Sequence, residues 1–124
     1  MTSTVPKTIL VVEDDESLLK LLKESLTIAG FKVFTAADGF EALDVLNNVK
    51  PNLIITDLIM PKVNGIEFIK AVRTRFTGDQ VPIVALTGVP EVIQAQAMSA
   101  GADHLIKKPV KLTTIRKTIQ NLLS

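Results

Sequence analysis

The sequence contains no cysteine, no tryptophan and no tyrosine, and its one histidine is His104. Without thiols neither a disulfide framework nor a thiolate metal site can form. Aromatic residues are only 4% of the chain against 47% hydrophobic residues overall, so the core has to be built from Leu, Ile, Val and Ala. No apolar run approaches the length of a membrane span, and the N-terminus lacks the apolar centre of a signal peptide, so a cytoplasmic protein without membrane contact is expected. There is no large excess of either charge: 14 Lys and Arg face 13 Asp and Glu, a formal net charge of +1. Such a balance argues against a dedicated nucleic-acid surface, which shows a basic excess on one element. No internal repeat beyond a strand–helix unit and no low-complexity stretch is visible.

What is present is a regular alternation. The length, 124 residues, suits a single domain, with 1–7 as a short polar leader. Strand-length apolar runs occur at Thr8–Glu13, Lys32–Ala36, Asn52–Asp57, Pro82–Thr87 and His104–Lys107. Between them Leu18, Leu22, Leu26 and Ala29 repeat at helical spacing, as do Ala42, Leu43 and Leu46, and then Ile66, Ile69 and Val72. Ile93, Ala97 and Ala100 form a weaker stripe, and Leu112, Ile115, Ile119 and Leu122 a clear one. Gly30 and Gly101 stand where the first and fourth helices should stop.

Five strand-then-helix units with short connections imply an α/β fold, a parallel sheet with five helices wound on both faces. Ile9-Leu10-Val11-Val12, Leu53-Ile54-Ile55 and Ile83-Val84-Ala85-Leu86 are apolar without alternation, as central strands covered on both faces should be. Lys32-Val33-Phe34-Thr35 and Leu105-Ile106-Lys107 are mixed and belong at the edges. With right-handed crossovers the natural strand order is 2-1-3-4-5. The winding then reverses between strands one and three, which opens a crevice at their carboxyl ends.

Polar residues gather at that edge. Strand one runs into Glu13-Asp14-Asp15, strand three ends on Asp57, strand four on Thr87, and strand five leads to Lys107-Lys108-Pro109. Open α/β sheets bind their ligands there. Two like charges 4 Å apart repel by roughly 4 kcal/mol at an effective dielectric of 20. A hard divalent cation relieves the conflict, and oxygen-only ligands favour Mg²⁺. Phosphoryl transfer to a carboxylate needs an ionised nucleophile, a metal, a fixed cation and a hydroxyl or amide donor. Asp57, Glu13 and Asp14 with Mg²⁺, Lys108 and Thr87 fill those roles in turn.

Each group alone has a plainer reading. Acids after a strand often cap the next helix, and Asp15 is expected to do so. An isolated strand-end Asp is commonly a turn former, an isolated Thr a β-branched strand residue, and Lys107-Lys108-Pro109 a solvated pair before a turn. Their coincidence at one sheet edge favours chemistry.

These segments, Ile9-Leu10-Val11-Val12-Glu13-Asp14-Asp15, Asn52-Leu53-Ile54-Ile55-Thr56-Asp57-Leu58-Ile59-Met60-Pro61, Gly65, Ala85-Leu86-Thr87-Gly88, Gly101-Ala102-Asp103 and Lys107-Lys108-Pro109, resemble the signature stretches of response-regulator receiver domains. The resemblance runs from about Thr8 to Leu123, in the family's order and spacing, and implies the flavodoxin-like fold. It implies that Asp57 accepts a phosphoryl group from a sensor histidine kinase or a histidine-phosphotransfer protein. Asp14 would bind Mg²⁺ directly, Glu13 mainly through metal-bound water, and the backbone carbonyl of Ile59 would be a further ligand. Thr87 would bring its hydroxyl to the phosphoryl group, Lys108 would pair with another phosphoryl oxygen, and the Lys108–Pro109 bond would be cis. A downstream protein target would read the face of helix 4, strand 5 and helix 5.

The sequence departs from that pattern in three places. Leu105 stands where the family often has a rotating Tyr or Phe, the first acid is Glu13, and the positions two beyond Asp57 and Thr87 are the apolar Ile59 and Val89. Slow self-dephosphorylation is expected, since neither can orient an attacking water by a side-chain hydrogen bond. The alternative function is a phosphorylation-independent receiver-like binding module. A phosphohydrolase of the haloacid-dehalogenase type needs a second acid where Ile59 stands, and nucleotide binding lacks a Gly-rich loop after strand one.

Overall fold

The computed structural model describes residues 5–60, 62–75, 80–88 and 90–124. Pro61, Val89 and the first four residues of the leader therefore lie outside the described part. The elements alternate as the apolar pattern requires: β1 (Thr8–Val12), α1 (Glu16–Ile28), β2 (Lys32–Ala36), α2 (Gly39–Leu46), β3 (Leu53–Asp57), α3 (Gly65–Arg75), β4 (Ile83–Thr87), α4 (Glu91–Ala100), β5 (His104–Lys107) and α5 (Leu112–Leu123). All strand pairs are parallel, in the order β2-β1-β3-β4-β5.

Each central strand feeds two cores because successive side chains point to opposite faces. Leu10, Val12, Ile54, Ile83 and Ala85 pack under α2, α3 and α4 with Ala42, Leu46, Phe68, Ile69, Val72 and Ala97. Ile9, Val11, Leu53, Ile55, Val84 and Leu86 pack on the other face with Leu22 and Leu26 of α1 and Ile115 and Ile119 of α5. The continuous apolar reading of β1, β3 and β4 is thus the trace of two covered faces. β2 and β5 form the edges, and His104 is exposed at the start of β5.

The helix ends follow local chemistry. Asp15 caps α1, its Oδ1 accepting from the amides of Ser17 and Leu18 at 3.0 and 3.2 Å. Beyond Ile28 the chain leaves through Gly30 at φ 101°, a left-handed conformation that glycine adopts without steric cost. Ala29 departs from the helical stripe: it is exposed, because it sits at the cap where the chain already turns away. β1 is also one residue shorter than its apolar run suggests. Glu13 belongs to the turn, and its amide still donates to Ala36 O at 3.0 Å.

Arg73 closes the opposite edge of the sheet, at the amino ends of β4 and β5. Its guanidinium donates to Val81 O at 2.7 Å, to Gly101 O at 3.1 and 2.8 Å, and to Asp103 Oδ2 at 2.9 Å. Asp103 in turn accepts from the Ile83 amide at 2.8 Å. A Cβ on Gly101, whose φ is 124°, would come within 2.7 Å of the Arg73 side chain.

Candidate functional site

The parallel sheet delivers Glu13, Asp57, Thr87 and Lys108 to one edge because each follows or ends a strand running in the same direction. In register, Asp57 sits beside Leu86 and Thr87 beside Lys107. Glu13, Asp57 and Thr87 are buried, whereas Asp14 reaches solvent. One carboxylate oxygen from each of Glu13, Asp14 and Asp57 lies within 4.8 Å of the others.

Lys108 joins this group from β5. Its Nζ donates to Asp57 Oδ2 at 2.8 Å and to Glu13 Oε1 at 3.3 Å. The amide of Lys108 donates to Thr87 O at 2.8 Å, so the lysine is anchored to the end of β4. The peptide bond between Lys108 and Pro109 is cis. Asp57 Oδ1 accepts from the Ile59 amide at 3.3 Å, while the Ile59 side chain faces solvent. The second oxygen of Glu13 accepts from the Asp15 amide at 3.1 Å.

The electrostatics are those of crowded acids with one counter-ion. Burial pushes the Glu13 carboxyl up to about 7, opposed by the Asp15 amide and reinforced by Asp57. Burial works against the Lys108 ammonium, but its hydrogen bond to and attraction by Asp57, with help from Glu13, more than offset this and raise it above its ordinary value. Lys108 therefore remains a cation at neutral pH.

A metal fits the donor set. Three carboxylates converge with no nitrogen or sulfur donor among them, and one of the three is open to water, as a hard cation that keeps part of its hydration requires. The Ile59 main chain lies next to Asp57, its amide donating to Asp57 Oδ1.

Several supporting residues were not singled out as site residues in the sequence. Gly65 packs so closely that a Cβ there would come within 2.3 Å of Asp57 O. Asp38, which caps α2 by accepting from the Glu41 amide at 2.7 Å, also meets Lys62 Nζ at 3.6 Å. Lys62 itself has φ 67°. The Asp38-Gly39 turn before an apolar stripe is a local signal for the cap, but nothing local marks Lys62. Thr56, fully buried, donates its hydroxyl to Asp57 O at 2.9 Å.

Residues 9–120 match the family described as the response regulator receiver domain. A response regulator MprA from Mycobacterium sp. (strain KMS) is 38% identical over 120 residues, covering 96% of this chain and 51% of the relative. Its counterpart in Mycobacterium avium (strain 104) is 37% identical over 116 residues, covering 93% of this chain and 50% of the relative. The chain thus spans about half the length of the curated relatives it matches. The chemotaxis response regulator CheY4 of Vibrio cholerae has a similar structure, with TM-score 0.88 and 36% identity over 96% of this chain and all of that one. So does the receiver domain of sensor histidine kinase PA1611 from Pseudomonas aeruginosa PAO1, with TM-score 0.87 and 25% identity over 96% of this chain and 98% of that one. That structure holds a magnesium ion coordinated in its active-site cleft.

Proposed function

This chain belongs to the response-regulator receiver family, and from that premise we propose that Asp57 is the phosphoacceptor of a Mg²⁺-dependent signalling switch. The observation that carries the reading is the placement of Lys108 Nζ 2.8 Å from Asp57 within a cluster of three carboxylates. A buried carboxylate held by a fixed cation is oriented for attack.

In the proposed reaction an Asp57 carboxylate oxygen attacks the phosphorus of a phosphohistidine on a sensor kinase or phosphotransfer protein. The P–N bond breaks, its electron pair stays on the imidazole, and an acyl phosphate forms on Asp57. Glu13, Asp14, Asp57 and the Ile59 carbonyl would hold a Mg²⁺ ion, whose charge would neutralise that of the phosphoryl oxygens. Lys108, already directed at Asp57, then pairs with a phosphoryl oxygen, and Thr87 offers its hydroxyl from the neighbouring strand end. The domain itself is a regulatory phosphoacceptor, not a metabolic enzyme. In this reading residues 1–124 work as a single receiver unit, with 1–7 as leader.

Phosphorylation adds charge and acceptor oxygens at Asp57. Drawing in Thr87 alters the connection from β4 to α4 and so the surface made by α4, β5 and α5. On that surface Met98 is exposed and Leu105 is half-buried. A downstream protein binds one shape more tightly, and only that difference in affinity shifts the equilibrium.

The test is phosphorylation by acetyl phosphate with Mg²⁺, compared between wild type and Asp57→Ala, followed by transfer from candidate kinases. Labelling of the wild type alone supports the switch. Leu105, in place of a rotating aromatic side chain, favours a second reading, a binding module indifferent to phosphorylation. A wild type that stays unlabelled while still binding its partner would establish that one instead.

A further inference from the structure

We propose that Thr56 is a positioning residue for Asp57, its buried hydroxyl holding the main-chain carbonyl of the nucleophile in place. The inference rests on Asp57 being the phosphoacceptor.

Thr56 carries the only hydroxyl in a strand that otherwise reads Leu53-Ile54-Ile55 before Asp57. The register between β1 and β3 ends at the pair Val12 and Thr56. β1 ends there, and the amide of the next residue, Glu13, faces β2 in the strand's alternation and bonds Ala36 O. By the register Asp57 extends one residue past the β1 ladder, and among the described residues the donor to its carbonyl is Thr56 Oγ1 at 2.9 Å. A buried carbonyl deprived of a donor retains its desolvation penalty, so the hydroxyl has a definite task here.

The rest of the Asp57–Leu58 corner is held from other directions. The Leu58 amide donates to Leu86 O at 3.2 Å on the β4 side, and the Gly65 amide donates to Leu58 O at 2.9 Å. Gly65 itself leaves no room for a Cβ against Asp57 O. Without the Thr56 hydroxyl, the Asp57 carbonyl is the acceptor at this corner that must find a new partner. It can do so by rotating the Asp57–Leu58 peptide plane, which disturbs the Leu58 amide's bond to Leu86 O and the Ile59 amide that holds Asp57 Oδ1. Reactions of positioned groups are sensitive to such shifts, since a displacement near 1 Å can cost on the order of 10²-fold in rate.

The experiment compares wild type, Thr56→Val, Thr56→Ser and Thr56→Ala with acetyl phosphate and Mg²⁺, below the melting temperature of the least stable variant. Thr56→Val keeps the shape and removes the donor; it is expected to lower the phosphorylation rate at saturating donor about tenfold. The donor concentration for half-maximal rate stays unchanged. Thr56→Ala, which removes the hydroxyl in a different steric setting, shows the same rate loss, and Thr56→Ser restores the wild-type rate. The Leu58 and Ile59 amide resonances shift in the Val and Ala variants and return in Ser. A Thr56→Val protein that melts lower yet is phosphorylated at the wild-type rate overturns the proposal, as does a Ser variant as slow as Val. A wild type that takes no phosphoryl group on Asp57 instead overturns the phosphoacceptor reading itself.

Discussion

Lys108 Nζ lies 2.8 Å from Asp57 Oδ2 and 3.3 Å from Glu13 Oε1, so one ammonium from the end of β5 serves two buried carboxylates carried by β3 and the turn after β1. The lysine side chain remains partly open to water, while both acids are buried. In the metal-free protein this contact offsets the repulsion that gathering the acids creates.

Removing the cation should expose that repulsion. Lys108→Met is expected to destabilise the metal-free protein by about 1–3 kcal/mol in urea denaturation, since it leaves buried carboxylates unpaired. Saturating Mg²⁺ should recover much of the loss, and the variant should label poorly with acetyl phosphate. Equal destabilisation with and without Mg²⁺ would show that lysine and metal do not share these carboxylates.

Glu13 sets a pH dependence whose sign differs from that of an ordinary paired acid. Its carboxyl, raised mainly by burial to about 7, binds protons in the folded state that the unfolded chain, titrating at 4.5, has released. Its contribution to stability is therefore present at low pH and lost as pH rises through 7. The melting temperature of metal-free wild type should fall relative to Glu13→Gln over this window, while Mg²⁺ affinity rises because the ligand must be deprotonated. Parallel melting curves for the two proteins from pH 5 to 8 would contradict it.

Gly65→Ala places a methyl group 2.3 Å from Asp57 O and 2.5 Å from Leu58 Cα, a contact that backbone has to yield to. The expected cost is about 1–3 kcal/mol of stability, as for overpacking elsewhere. Slower labelling of Asp57 should accompany it. A thermal melt combined with acetyl phosphate kinetics measures both.

Arg73→Ala should separate stability from chemistry. It removes donors from the carbonyls of Val81 and Gly101 and from Asp103, at the sheet edge opposite Asp57. A loss of about 2–3 kcal/mol is expected from charge-assisted bonds of this kind. The initial phosphorylation rate, measured well below the melting temperature, should match wild type.

Ile59, exposed beside Asp57, offers no side-chain hydrogen bond to an attacking water. The phosphoryl group should therefore persist, and Ile59→Gln should shorten its lifetime by about tenfold or more, at the low end of what a positioned polar group contributes. Loss of label after removal of the donor is the measurement. A wild-type lifetime of seconds without a phosphatase would refute the expectation; Val89, its counterpart after Thr87, lies outside the described residues.

Much of the site was legible because strand direction is shared. Once Glu13, Asp57, Thr87 and Lys107 are read as strand ends in a parallel sheet, Asp14 and Lys108 must follow at the same edge. The cap at Asp15 and the turn at Gly30 were legible for a similar reason, being set within a few residues. Arg73, Lys62 and Thr56 were not. Arg73 bonds Gly101 across 28 residues, Lys62 meets Asp38 in another loop, and the Thr56 hydroxyl looks like any β-branched strand position until its acceptor is seen.

The residue order by itself determined the alternating elements, the two covered faces of the central strands and the acid-rich edge, because side-chain periodicity and strand polarity are local properties. Only the tertiary structure decided that Lys108 divides itself between Asp57 and Glu13, partners 51 and 95 residues away. It alone decided that Gly65 abuts the nucleophile's carbonyl and that Arg73 ties the far edge. Such contacts depend on how helices settle against the sheet to within an ångström, and packing at that precision is a property of the whole folded chain.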